Sequence, residues 1–248
     1  MSFVIHEPVQ RTTLRRRLLD GYMSTSAGLH RRITDASFEP FCRAHRYHLR
    51  GWMPRSGCRW LDVGCGQGAL MHLAREVATE LVGVDASAEM VAACRARGFI
   101  VEHADLWEYL ARTPDARWDA VSAFDLLEHF SNDDGVRLLE EIRRVLAPGG
   151  VCLLKLPNAV SPWGASVFAS DLTHEAAYTP LSLAQLAALA GFRRCEVREV
   201  GPAPVSPAAA LRWVLWRGVR LVYAAVNRIE GGAAHGGVYT QVMTARLT

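Results

Sequence analysis

Paired cysteines are missing from this chain. Its six cysteines (Cys42, Cys58, Cys65, Cys94, Cys152 and Cys195) are scattered, with no C-x-x-C pair and no histidine at metal-like spacing. That pattern excludes a disulfide framework, indicates no metal site, and suits reduced thiols in a cytosol. Long hydrophobic runs are missing too. Half of the residues are apolar, yet no stretch reaches the roughly 18 uncharged apolar residues that a spanning helix needs. The opening MSFVIHEPVQRTTLRRRLLD lacks the continuous apolar core of a signal peptide, so a cytoplasmic protein is expected. Charge of one sign is scarce, with 28 basic residues against 25 acidic and a formal net charge of +3. So even a balance argues against a nucleic-acid partner, although arginines gather at Arg15 to Arg17 and Arg212 to Arg220. No internal repeat is evident, and compositional bias is confined to a Pro/Ala stretch from Gly201 to Ala210.

What is present is the material for one large α/β domain over all 248 residues. Residues 1–50 read as amphipathic helical pieces broken near Gly21, Gly28 and Pro40, a cap over the site. From Cys58 the pattern alternates. Strands are expected at Cys58 to Val63, Glu80 to Asp85, Phe99 to Ala104, Trp118 to Ala123 and Val151 to Leu156. Helices are expected at Ala69 to Val77, Ala88 to Arg97, Asp133 to Leu146 and Leu181 to Leu189. This is the rhythm of a doubly wound, mostly parallel sheet. Within a single domain, residues 51–200 form its core and residues 201–237 a helical excursion. Two late strands, Phe192 to Val200 and Val238 to Arg246, suit an antiparallel edge hairpin, the final edge strand lying within 238–248.

Between the first two strands the chain reads LDVGCGQG, and the second strand ends at Asp85. Glycine tolerates positive φ and carries no Cβ, so such a turn can lie flush against a ligand. A dinucleotide fingerprint is G-x-G-x-x-G, whereas the spacing here is G-x-G-x-G, preceded by Asp62. An acid beside the turn would repel a pyrophosphate but could hold the ammonium of an amino-acid moiety. That favours S-adenosylmethionine over NAD. Asp85 suits the two ribose hydroxyls, Asp105 can accept from the adenine amine, and Leu106 can cover the ring.

Six segments in order, LDVGCGQG, GVDAS, HADL, FDLLEHF, LAPGG and AGF, make the chain resemble class I S-adenosylmethionine-dependent methyltransferases over about residues 58–200. The likeness is to the type 11 group of ubiquinone-biosynthesis O-methyltransferases and sugar or glycan methyltransferases. It implies a seven-stranded methyltransferase sheet with an antiparallel edge strand. It also implies a cofactor site of Asp62, Gly64, Cys65, Gly66, Gly68, Asp85, Ala86, Asp105, Leu106 and Phe124. Phe124 and Asp125 are expected near the cofactor, and Glu128 with His129 near the methyl group. His174, in the segment SDLTHEAAYTP, is similar to a threonine-histidine segment of that group, although Tyr178-Thr179-Pro180 departs from it. Asp171 could orient His174, as carboxylates orient imidazoles in catalytic pairs.

Methyl transfer from a sulfonium needs an aligned acceptor, excluded water and, for a hydroxyl, a base. Histidine titrates near working pH, which makes His174 and His129 the candidates. The other histidines, His45 included, are assigned no role. The expected reaction is O-methylation of a small polar, glycan-linked or lipid-linked hydroxyl. N- or C-methylation and a catalytically silent S-adenosylmethionine-binding partner protein are the alternatives.

Pro207 to Ile229 forms a long helix. On a helical wheel Arg212, Arg217, Arg220, Asn227 and Arg228 share one flank beside a broad apolar face. Its destination is left open among a peripheral contact at the inner membrane face, a homodimer interface and a lid on its own domain.

Overall fold

Side chains alternate along β1 (Cys58–Val63) in the computed structural model, which describes residues 35–231 and 237–248. Trp60 packs on one face of the sheet with Leu70, Leu73 and Leu153. Leu61 and Val63 pack on the other with Leu138, Leu139 and Ile142. Both faces are covered, as a parallel sheet requires.

β2 (Ala78–Asp85) and then β3 (Val101–His103) lie on one side of β1, with β4 (Trp118–Phe124) and β5 (Leu146–Pro157) on the other, all parallel. β6 (Cys195–Glu199) and β7 (Val242–Leu247) complete the seven-stranded order β3-β2-β1-β4-β5-β7-β6, with β7 antiparallel to both neighbours. The mostly parallel sheet with an antiparallel pair at one edge is the expected architecture. Within that pair one assignment is corrected: the final strand is not the rim. β7 buries Met243, Ala245 and Leu247 between β5 and β6, whereas every residue of β6 stays partly exposed, as suits an edge.

Among the described residues the α-helices are α1 (Asp35–Leu49), α2 (Ala69–Ala74), α3 (Ala88–Ala96), α4 (Leu106–Arg112), α5 (Asn132–Val145), α6 (Gly164–Ala169), α7 (Pro180–Leu189) and α8 (Pro207–Glu230). The expected breaks at Gly21 and Gly28 lie outside the described residues. The break expected at Pro40 does not occur, because α1 runs through it. Proline removes one backbone donor there, and burial of Phe38, Cys42 and Leu49 outweighs that loss. α4 and α6 were not expected; at seven and six residues they are too short to show a period. Ser131 caps α5, accepting from Asp134 N at 3.1 Å, and Thr179 with Ser182 forms a capping box on α7.

α8 departs from its wheel. Arg220 and Asn227 turn inward: Arg220 Nε reaches Glu199 Oε2 at 3.2 Å, and the Asn227 Nδ2 atom is buried. At about 100° per residue, Arg217 and Arg228 fall on one side of that inner stripe and Arg212 on the other.

Candidate active site

The expected cofactor residues gather at the carboxyl ends of β1 to β4, the edge where doubly wound sheets hold ligands. After β1 the chain turns through Gly64, Gly66 and Gly68 with φ of 67°, 52° and 80°. Gly68 is the most constrained: a Cβ there would stand 2.7 Å from Cys94 Sγ and 2.9 Å from the Phe99 ring. The turn is fastened to β2. Gly64 N–H donates to Val84 O at 2.8 Å, and Gly66 N–H donates to Asp85 Oδ2 at 2.9 Å. Asp85 Oδ1 accepts from Ser87 N–H at 2.8 Å. Each oxygen keeps a further acceptor position, which fits the two hydroxyls of a ribose. Burial pushes the Asp85 carboxyl up, against the pull of those two donors.

Cys65 turns its side chain into the core, where Gly83 makes room for it; a Cβ at Gly83 would lie 2.8 Å from Cys65 Sγ. Cys94 and burial push its thiol far above the usual range. Cys65 thus meets the site through its backbone. Asp62 sits one residue before the end of β1 and is 2% exposed. Ser122 Oγ donates to Asp62 Oδ1 at 2.5 Å while accepting from Trp60 Nε1 at 2.8 Å. Burial raises the Asp62 carboxyl to about 7, against the lowering effect of Ser122 and with a contribution from Asp85. A buried acid held this way favours a cationic neighbour, which fits an ammonium group. Asp105 is exposed and caps α4, Oδ1 accepting from Trp107 N at 2.8 Å and Glu108 N at 3.3 Å. Leu106 begins that helix half-buried. Ala86 is exposed, and its carbonyl meets His103 Nε2 at 3.0 Å.

Phe124 ends β4, and Asp125 follows at φ 51°, a conformation that asparagine and aspartate tolerate best after glycine. Asp125 N–H donates to Lys155 O at 2.7 Å, and its carboxylate pairs with the Lys155 ammonium. Lys155 was missed by sequence reasoning. It had left a signal, being the only lysine in the chain and lying in an otherwise apolar strand. His45 was also passed over. It stands 6.0 Å from the Phe124 ring, with Nδ1 on Phe41 O at 2.9 Å and a buried Nε2 that meets no partner. Burial, then Lys155, lowers it to about 4. Nothing in the sequence singled it out.

The segment after Asp125 forms a single 3-10 turn, Leu127–His129. Glu128 O accepts from Glu175 N at 2.8 Å and Ala176 N at 3.1 Å, which draws the loop of His174 onto this turn. The two imidazoles lie 4.9 Å apart, centre to centre. Asp171 does not orient His174, contrary to expectation. Thr173 Oγ1 donates to Asp171 Oδ1 at 2.6 Å and lies 2.7 Å from His129 Nδ1. The hydroxyl has one proton and the carboxylate takes it, so His129 Nδ1–H is the donor to Thr173. His174 Nδ1 is held instead by Phe168 O of α6 at 2.9 Å, which leaves its lone pair on Nε2. The local reason is reach: only Leu172 separates Asp171 from Thr173, and the short Asx-type turn there directs the carboxylate at the hydroxyl. Burial and His174 lower His129 to about 4.

Glu128 is buried, its carboxyl raised well above the ordinary range mainly by burial and next by Asp125, and its Oε2 has no hydrogen-bond partner. Ligand atoms of Glu128, His129 and His174 lie within 4.8 Å of one another, close enough to share a metal ion. The cysteine and histidine spacings had indicated no metal site. This grouping arises from two segments some 45 residues apart and from a glutamate that spacing rules ignore.

The methyltransferase domain family matches residues 29–197, and the chain belongs to it. A probable S-adenosylmethionine-dependent methyltransferase of Mycolicibacterium smegmatis is 37% identical over 103 residues, 41% of this chain and 38% of that protein. A ubiquinone biosynthesis O-methyltransferase of Psychrobacter arcticus is 29% identical over 163 residues, 58% of this chain and 63% of its own length. The chain therefore spans between about a third and two thirds of these relatives. An S-adenosylmethionine-dependent methyltransferase structure from Archaeoglobus fulgidus shares the fold with a TM-score of 0.62 at 23% identity, over 83% of this chain and 93% of that one. The cofactor of this site is S-adenosylmethionine.

Proposed function

We propose that this protein methylates a hydroxyl of a small polar, glycan-linked or lipid-linked acceptor, with His174 removing the hydroxyl proton. The observation that carries this reading is the pair of imidazoles at the β4 end of the site, both with Nδ1 engaged by fixed partners. The bound cofactor supplies a methyl already activated on a sulfonium. Asp62 meets its ammonium, Asp85 its ribose, Asp105 and Leu106 its adenine. The protein's remaining work is to align the acceptor oxygen and accept one proton. His129, weakened as a base by burial, orients the acceptor through a tautomer that Thr173 holds, and His174 Nε2 takes the proton. The likeness to ubiquinone biosynthesis O-methyltransferases supports oxygen as the acceptor atom.

Glu128 favours a second reading of the same cluster. Its buried, unpartnered Oε2 beside two imidazoles suits a divalent cation, with His174 serving as ligand in place of base.

The test uses S-adenosylmethionine labelled with carbon-13 at the methyl group, incubated with saccharide and lipid extracts. The labelled product is then read by NMR. An ether methyl signal is expected. An N-methyl or C-methyl signal, or bound cofactor with no product in any extract, overturns the proposal.

A further inference from the structure

Among the described residues, α8 touches its own domain along one stripe only. The Tyr223 ring meets Trp163 at 6.4 Å and Tyr239 at 5.8 Å, Arg220 pairs with Glu199, and Ala209 is the one buried residue of the helix. On the opposite side Leu211, Val214, Leu215, Leu221, Val222 and Val226 are 56–72% exposed. At about 1.5 Å per residue this apolar face, from Leu211 to Val226, runs for roughly 22 Å. So large an exposed apolar patch marks an interaction surface. Arg217 and Arg228 border it on one side and Arg212 on the other. None of the three pairs with a carboxylate among the described residues, and the only acid in the helix is its last residue, Glu230.

We propose that this face lies in the headgroup layer of an anionic lipid bilayer, with the helix parallel to the surface. Charge decides the occupant. A two-fold copy of the same helix would set arginine flanks against arginine flanks, with one terminal glutamate to answer them. Anionic headgroups complement both flanks while the leucines and valines enter the acyl boundary. No described helix is long and apolar enough to cross a membrane, so the contact is peripheral. The docked helix is also continuous with the acceptor side of the site. Tyr223 packs on Trp163, which caps α6, and α6 supplies the Phe168 carbonyl that holds His174. This deepens the proposed function, and rests on it only in assigning the acceptor class, a hydroxyl of a lipid-linked molecule presented at the bilayer.

The test is co-sedimentation of the full chain with phosphatidylcholine vesicles, with and without phosphatidylglycerol, in the absence of cofactor and acceptor. Binding to the anionic vesicles alone is expected. Neutralising Arg212, Arg217 and Arg228 to Gln should weaken it about a hundredfold, each contributing roughly a factor of five. Leu215→Glu with Val222→Glu should abolish it. These side chains are exposed, and calorimetric binding of S-adenosylmethionine by the variants verifies that they fold. Failure of the unaltered chain to bind that cofactor would strike the methyltransferase reading and leave the vesicle result standing. No binding to anionic vesicles, equal binding to neutral ones, or a dimer by light scattering that the Leu215 and Val222 changes disperse would overturn the membrane proposal.

Discussion

Thr173 Oγ1 lies 2.7 Å from His129 Nδ1 and donates its own O–H in a hydrogen bond to Asp171. One small side chain therefore sets the tautomer of an imidazole 44 residues away. Thr173→Val removes the acceptor for His129 Nδ1–H, a loss of about 1–2 kcal/mol. Turnover should fall roughly tenfold, since ~1.4 kcal/mol is a factor of ten. Cofactor affinity should hold, and Thr173→Ser should restore most of the rate. Steady-state kinetics of the two variants check this; a rate unchanged in Thr173→Val removes the relay from the mechanism.

His174→Ala should lower kcat by about 10²- to 10⁴-fold, the usual contribution of a positioned base. Binding of S-adenosylmethionine, read by calorimetry, should not change, because His174 sits beyond the cofactor residues on the loop held by Glu128. A full rate in this variant dismisses His174 as the base.

Glu128, His129 and His174 decide between a bare base and a cation. If they hold a metal, extensive chelation should abolish turnover, a divalent ion should restore it, and Glu128→Gln should raise the metal concentration required. If His174 acts as the base, chelated protein keeps its rate. Measuring turnover after chelation, with metal content read by mass spectrometry, separates the two.

Asp62 makes cofactor binding depend on pH in a definite direction. Its folded, cofactor-free carboxyl is raised to about 7, above the ordinary value of about 3.9. Between those values the folded protein holds a proton that the unfolded chain has released. The carboxyl therefore favours folding less and less as pH rises through that window. A bound ammonium requires the ionised acid, so affinity should strengthen as pH rises toward 7 and then level off. Asp62→Asn should weaken binding and flatten the profile between about pH 5 and 7. Calorimetric titration over that range tests it, and a profile unaltered by the substitution would show that Asp62 does not meet the cofactor.

Gly66 and Gly68 separate fold from ligand. Alanine at Gly68 meets both φ 80° and a sulfur at 2.7 Å, costing about 1–2 kcal/mol for the left-handed backbone and another ~1–3 for overpacking. The melting temperature should drop by several degrees. A Cβ at Gly66 meets no protein atom within 4 Å, so Gly66→Ala should carry only the left-handed backbone cost at φ 52°, about 1–2 kcal/mol, yet bind S-adenosylmethionine more weakly. Thermal melts with and without the cofactor measure both.

Much of this architecture was legible because local chemistry and global fold agree. The glycine turn, Asp85 and the apolar runs of β1, β2 and β4 are read from adjacent residues, and the sheet has few alternatives once they alternate with helices. The residues that escaped are those whose roles depend on a distant partner. Lys155 needed the register of β4 on β5 to meet Asp125. His45 needed α1 to persist through Pro40. Asp171 was read as the partner of His174, yet backbone geometry directed it to Thr173.

The amino-acid sequence by itself determined the class of this protein. A G-x-G-x-G turn behind an acid, three acids at the ends of three strands and an alternating apolar pattern are short-range features, fixed by φ, side-chain size and charge along a few neighbouring residues. Tertiary structure decided the acceptor side. Which nitrogen of each histidine is tied down, which carboxyl lies beside them, and which face of α8 remains exposed depend on contacts between segments far apart in the chain. Such contacts arise only when burial of the two core faces brings those segments together, and no periodicity in the chain encodes them.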